Sequence, residues 1–161
     1  MGDRVSFLRN AAASMEAQGI RIEKKSSLYE TAPWGMTDQA DFLNAVIQAE
    51  WNGEPEELMR RLLRIEQEQG RTRLVHWGPR TLDLDVIWGE HIISDSALLR
   101  LPHPFFWERA FVLVPMAEIA PGFSYHGQTI EARISELDSE KMVRRTEWDW
   151  EDDHGVGKEH S

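Results

Sequence analysis

Asp83 and Asp85 lie two residues apart in the stretch His76–Trp88, HWGPRTLDLDVIW. The residues around them are strand formers, and side chains on a strand alternate faces. That predicts both carboxylates on one side and Leu82, Leu84 and Val86 on the other. Two carboxylates so close repel unless a cation sits between them. Their hard oxygens suit Mg²⁺, which keeps several waters and shares its remaining positions with phosphate oxygens. Arg80 precedes Asp83 by three residues, and Arg71 and Arg73 stand in the loop before it, so fixed positive charge is at hand for the same anion. Divalent ions, guanidiniums and a polyphosphate are the equipment of phosphoryl transfer, where positioning and charge stabilisation do most of the catalysis. A bare Asp-x-Asp is equally the pattern of a solvated strand face. The leucine-lined back and the preceding Trp-Gly-Pro-Arg make this instance more specific.

Several elements must hold those residues. Asp3–Gln18 reads as a helix with a stripe of Val5, Leu8, Ala12 and Met15, ended by Gly19. IRIEKKSSLYE and FLNAVIQAEW read as strands, separated by a loop with Pro33 and Gly35. EPEELMRRLLRIEQEQG is the clearest helix, with acids leading, arginines following, Gly70 at its end, and Leu58, Leu62 and Ile65 on the buried face. TLDLDVIWG is predicted to be a strand, EHIIS its hairpin partner, and Trp107–Ile119 an apolar helix. Helices around a pair of strands resemble the split βαβ arrangement.

The composition bounds the partners. The chain has 161 residues, 41% hydrophobic and 29% charged, which is the make-up of one globular domain. A net charge of −10 argues against a duplex nucleic-acid binder. No apolar run is long enough for a membrane span. The absence of cysteine excludes disulfides, thiolate metal sites and cysteine nucleophiles, and fits a cytoplasmic setting. On this acidic background Arg60, Arg61, Arg64, Arg71, Arg73 and Arg80 fall within 21 residues, which suggests a small polyanion such as phosphate. Arg60, Arg61 and Arg64 are assigned to the solvated face of their helix. Residues 138–161 carry eight acids and four bases and read as a loose acidic tail.

Four ordered blocks resemble one family. WGPRTLDLDVI is similar to the signature of the 6-hydroxymethyl-7,8-dihydropterin pyrophosphokinases. SLYETAPWGMTDQADFLNAVIQAE resembles their pterin-side segment, RIEQEQGRTR their helix end and arginine loop, and LPHPFFWERAFVLVPMAEIAP their Pro-His-Pro turn and following helix. The resemblance implies transfer of the diphosphate of ATP to the pterin hydroxymethyl oxygen with release of AMP, as a step of folate biosynthesis. It implies two Mg²⁺ ions, ATP as co-substrate, small-molecule partners only, and an α+β, ferredoxin-like antiparallel sheet with helices packed on it. Asp83 and Asp85 would hold the metals. Arg80, Arg71 and Arg73 would bind the phosphates, His103 would hydrogen-bond a phosphate oxygen, and Arg109 and Glu66 would lie on the nucleotide side. Trp77 and Phe111 would sandwich the pterin ring, Asn44 would read its amide edge, and Thr31, Pro33, Trp34 and Phe42 would close the pocket. Two aromatic faces hold a flat heterocycle well, and an asparagine both donates and accepts.

The resemblance also implies departures. The family opens with a strand ending in a Gly-Ser-Asn loop before the equivalent of MGDR, so the expected fold lacks its first strand. The expectation is an upstream start, with poor stability and weak pterin binding if Met1 is the true one. The pyrophosphokinase domain then spans residues 1–137. The loop from Gly70 to Trp77 is about one residue short, which leaves Arg73 less firmly placed than Arg71. Two alternatives remain at this stage: a non-catalytic or degenerate ligand-binding relative, and another Mg²⁺-dependent nucleotide-using transferase.

Overall fold

The computed structural model describes residues 2–31, 42–71, 84–137, 143–147 and 150. The chain divides into two compact units, one of Met1–Glu23 with Ala49–Phe106, the other of Lys24–Gln48 with Trp107–Ser161.

In the first unit, helix α1 (Gly2–Ala17) packs against helix α2 (Pro55–Arg71). Each buries one stripe at helical spacing: Val5, Ala11, Ala12 and Met15 from α1, and Met59, Leu62, Ile65 and Gln69 from α2. Met59 occupies the place expected of Leu58, which is half-buried. Gly19, at φ +89°, closes α1: its N–H reaches the Glu16 carbonyl while the Ile20 N–H reaches Met15, so the left-handed turn needs a residue without Cβ. Arg60 and Arg61 pair with Glu57 at 3.3 and 3.0 Å, one helical turn back. Arg61 also donates to the Gln18 carbonyl and lies 4.9 Å from the Trp51 ring centre. Arg60 lies on the solvated face, as the sequence reading has it, whereas Arg61 is half-buried and ties α2 to the end of α1.

The predicted strand TLDLDVIWG is not seen as a ladder strand across its described part, Leu84–Gly89. Alternation in a sequence tells which side chains share a face, but a strand also needs a neighbour to accept its backbone bonds. Here the Leu84 N–H goes to the Glu66 carboxylate, and the Ile87 carbonyl accepts from the His103 N–H at 2.8 Å. The expected hairpin partner EHIIS instead begins with a turn, closed by the Ile92 N–H on the Gly89 carbonyl at 3.2 Å. A short hairpin follows farther along.

The strands are β1 (Arg21–Lys25), β2 (Tyr29–Thr31), β3 (Phe42–Asn44), β4 (Ile47–Glu50), β5 (Ser94–Asp95), β6 (Arg100–Leu101), β7 (Ser124–Tyr125), β8 (Gln128–Thr129) and β9 (Val143–Arg145). Each of the two strands read near the N-terminus is therefore two. The first breaks at Ser26–Leu28 and the second at Ala45–Val46, where the Ser26 hydroxyl accepts the Val46 N–H at 2.9 Å and substitutes for a ladder bond. β1 pairs with β4, and β5 with β6 in the hairpin of the first unit. Leu99 and Leu101 of that hairpin region bury with Met59 against Val86 and Leu98.

The second unit is built on β2. It runs antiparallel to both neighbours, with Tyr29 opposite Asn44 of β3 and Arg145 of β9. Helix α3 (Ala110–Ile119) packs on β2, β3 and β9, and helix α4 (Ile130–Leu137) packs on α3. α3 starts later than predicted, because Phe106–Glu108 form a separate 3₁₀ turn and Arg109 is extended at the N-cap. β7 and β8 are joined by His126 and Gly127, both at positive φ, as a two-residue hairpin turn requires.

Part of the segment predicted as a loose tail is ordered. Val143 is buried in β9, and beyond it the Thr146 N–H and the Trp150 indole donate to the carbonyls of Leu28 and Ser26. Polar composition does not preclude an edge strand, which needs only one inward apolar side chain and a free ladder edge. The described residues thus form an α+β arrangement of helices and antiparallel strands.

Candidate functional site

In the first unit the structure brings together Asp85, His103 and Glu66. Glu66, on the inner side of α2, accepts the Leu84 N–H and so tethers the backbone next to Asp85. His103 is tethered from the other side by its N–H on the Ile87 carbonyl. Its Nδ1 faces the Phe105 N–H at 3.4 Å, and its Nε2 lies 3.9 Å from Asp85 Oδ2. The Asp85 side chain keeps 53% of its surface open, so it can accept a ligand without unfolding anything.

Beside this pair lies a pocket of about 220 Å³ lined by Met59, Asp85, Val86, Ala97, Leu98, Leu99, Arg100, His103 and Pro104. The sequence reading did not single it out. Its walls come from a helix, an extended stretch and a hairpin, so no local motif announces it. Its walls pair the aliphatic Met59, Val86, Leu98 and Leu99 with the polar Asp85, Arg100 and His103, so it can take a group with an apolar and a polar end, and Asp85 would repel an anion there unless a cation lay between them.

Arg71 ends α2, and its side chain is not among those described. Arg73, Trp77, Arg80 and Asp83 lie outside the described residues. No group of three or more His, Asp or Glu side chains able to hold a metal occurs among the described residues. What is described fits Mg²⁺: Asp85 is a hard oxygen donor with open surface for the waters and phosphate oxygens that this ion retains.

In the second unit the structure joins Asn44 to Thr31. The Asn44 Nδ2 donates to Thr31 Oγ1 at 3.0 Å across the β2–β3 ladder, and Thr31 is buried. Phe42 stands opposite Thr31 in the register. Its side chain is not among those described, and Pro33 and Trp34 lie outside the described residues. Phe111 opens α3 half-buried, with the Arg109 guanidinium 5.7 Å from its ring centre.

The sequence reading also missed Glu118, two turns along α3 from Phe111. Its Oε1 accepts the Ser27 N–H at 2.8 Å and the Tyr29 hydroxyl at 2.9 Å, and its Oε2 accepts the Ser27 hydroxyl at 2.8 Å. Arg145 of β9 stands 3.6 Å from Oε2. Burial by itself pushes this carboxyl up, but the two Ser27 bonds, the Tyr29 bond and the Arg145 charge outweigh it and hold Glu118 below its ordinary value. Burial, then the bond to Glu118 and its negative charge, push Tyr29 up to about 12.

A carboxyl lowered on folding contributes stability above its unfolded pKa and loses it as the pH falls through the folded value. Wild type should therefore exceed Glu118→Gln in Tm by a constant margin above the ordinary carboxyl value of 4.5, and the margin should shrink below it. Melting curves between pH 7 and pH 3 (roughly the carboxylate range) check this. A margin that does not change with pH would mean the charge is irrelevant.

Comparisons with known proteins add the family context. Residues 1–121 match the profile of the 7,8-dihydro-6-hydroxymethylpterin-pyrophosphokinase family. A 2-amino-4-hydroxy-6-hydroxymethyldihydropteridine pyrophosphokinase of Methylorubrum extorquens is 42% identical over 146 residues, 89% of this chain and 92% of that protein. The protein of the same description in Bacillus subtilis is 44% identical over 120 residues, 74% of this chain and 72% of its own length. A mitochondrial folate synthesis bifunctional protein of Pisum sativum is 40% identical over 155 residues, 89% of this chain but 30% of that longer protein.

Proposed function

The chain belongs to the 7,8-dihydro-6-hydroxymethylpterin-pyrophosphokinase family, and from that premise we propose how its residues share the reaction. The reaction is transfer of the diphosphate of ATP to the hydroxymethyl oxygen of the pterin, giving AMP, in folate biosynthesis. The enzyme is a diphosphotransferase that takes ATP as co-substrate and Mg²⁺ as its metal.

Asp85, together with Asp83, would hold two Mg²⁺ ions. Bound there, Mg²⁺ would neutralise the charge of the triphosphate and orient its β-phosphorus for in-line attack. His103 would donate from Nε2 to a phosphate oxygen, since its Nδ1 already faces a backbone N–H. Glu66 would set the backbone that carries Asp85 rather than touch the nucleotide itself. The aliphatic pocket beside Asp85 and His103 is the natural seat of the nucleotide base. Arg71, Arg73 and Arg80 would clamp the phosphates, and Arg109 would support the nucleotide side. On the acceptor side, Asn44, oriented by Thr31, would read the pterin edge. Phe111 and Trp77 would stack on its faces, with Pro33, Trp34 and Phe42 closing the pocket.

The fold is read as ferredoxin-like, supported by the antiparallel β3–β2–β9 ladder with α3 packed on it. No described helix is long and apolar enough to cross a membrane. The setting is read as cytoplasmic, a reading that the cysteine-free composition supports.

The single observation that carries the residue assignment is the convergence of Asp85, His103 and the aliphatic pocket. Incubation with ATP, Mg²⁺ and the hydroxymethyl dihydropterin should give AMP only when the pterin is present. ADP as the nucleotide product, or AMP formed without pterin, would contradict the reading.

A further inference from the structure

We infer that Glu118 is a positioning residue for the pterin: by tying α3 to the start of β2, it sets the distance between Phe111 and the Asn44–Thr31 pair. This rests on the pterin-side reading of those residues. Phe111 and Glu118 are separated by seven positions on α3 and so lie on one side of it, two turns apart. Thr31 and Tyr29 alternate on β2 with Glu30 between them, so they share a face, and Asn44 stands directly opposite Tyr29. A bond from Tyr29 to the helix is therefore a bond from the face that carries Thr31 and Asn44 to the helix that carries Phe111.

Apolar packing of α3 through Val112, Leu113 and Met116 gives adhesion but little directional precision, because such contacts tolerate sliding. The Glu118 carboxylate supplies direction. Three hydrogen bonds fix both of its oxygens, two of them from Ser27, which lies in the break between β1 and β2. Arg145 adds the third strand of the ladder to the same carboxylate. Pro115 inside α3 removes one main-chain bond between Phe111 and Glu118, so the helix alone is a softer spacer there than an unbroken one. A ring that must stack on Phe111 while its edge meets Asn44 needs that spacing held to a fraction of an ångström.

The test compares variants at Glu118, Ile130 and Phe111 with wild type under steady-state conditions. Glu118→Ala should raise KM for the pterin about tenfold, on the order of one lost charge-assisted hydrogen bond, while KM for ATP and kcat stay within about twofold. Glu118→Gln keeps Oε1 for Ser27 and Tyr29 and should fall between wild type and Glu118→Ala. It also decides the question if the alanine variant does not fold. Replacing Ile130, fully buried on α4, by Val or Ala to match the Tm loss should leave the KM ratio unchanged. Phe111→Ala is run alongside. If Phe111→Ala raises the pterin KM and neither Glu118 variant does, the inference is overturned and the pterin-side reading stands. If Phe111→Ala has no effect, that reading fails and the inference with it. A matching pterin-specific shift in the Ile130 variant would reduce Glu118 to general stability and also overturn the inference.

Discussion

Asp85→Ala is expected to lower AMP formation at least a thousandfold at saturating ATP and pterin, with no loss of thermal stability. The kinetic part follows from the role of the metal. In phosphoryl transfer the protein contributes little covalent chemistry, and losing a carboxylate that holds the ion costs roughly three or more powers of ten. The stability part follows from the structure. The Asp85 side chain is 53% exposed and its neighbour His103 Nε2 is 3.9 Å away, too far for a hydrogen bond, so deleting it opens no cavity. Asp85→Asn sharpens the result: it keeps an oxygen of the same reach but removes the charge, and should recover only a small part of the rate. A Mg²⁺ titration of the asparagine variant should show a raised requirement for the metal. A rate within tenfold of wild type in either variant would remove Asp85 from the metal site.

The same residue shows how much the sequence could give away. Asp-x-Asp behind Trp-Gly-Pro-Arg is a short, contiguous pattern, and its chemistry depends on residue types that can be read directly. The helices were legible for a related reason. The stripes of α1 and α2, the acids at the start of α2 and Gly19 at the end of α1 are all local features, and each sits where local physics places it. The strands were less legible. Ser26 breaks a run that alternates well, because its hydroxyl offers Val46 a bond that a ladder would otherwise make, and that partner lies twenty residues away. Leu84–Trp88 alternates like a strand yet spends two of its backbone groups on Glu66 and His103. Glu118 was missed for the opposite reason. A lone glutamate near the end of an apolar helix reads as a solvent-facing residue. Only the fold brings Ser27, Tyr29 and Arg145 to it. The pocket beside Asp85 is likewise assembled from three separate pieces of chain.

Asn44→Ala is expected to raise the pterin KM about a hundredfold and to leave the KM for ATP unchanged. A pterin presents donors and acceptors side by side along one edge, and a site built to pair with such an edge loses heavily when its partner is truncated. Asn44 has the right groups for that edge only if its amide is held in one rotation. The bond from Nδ2 to the Thr31 hydroxyl, 3.0 Å long, supplies the hold, because Thr31 is itself buried and stiff about χ1. One N–H is thereby committed to Thr31, which sets the direction of Oδ1 and of the second N–H. Asn44→Asp tests this more finely than alanine does. It keeps the size and the acceptors but cannot donate while ionised, so it should lose pterin binding nearly as fully as alanine. Thr31→Val, which preserves shape and deletes the hydroxyl, should cost less, about tenfold, since it frees the amide without removing it. If Asn44→Ala instead changes the pterin KM by less than about threefold, the amide contributes nothing to recognition. Its bond to Thr31 would then be only part of the ladder's own packing.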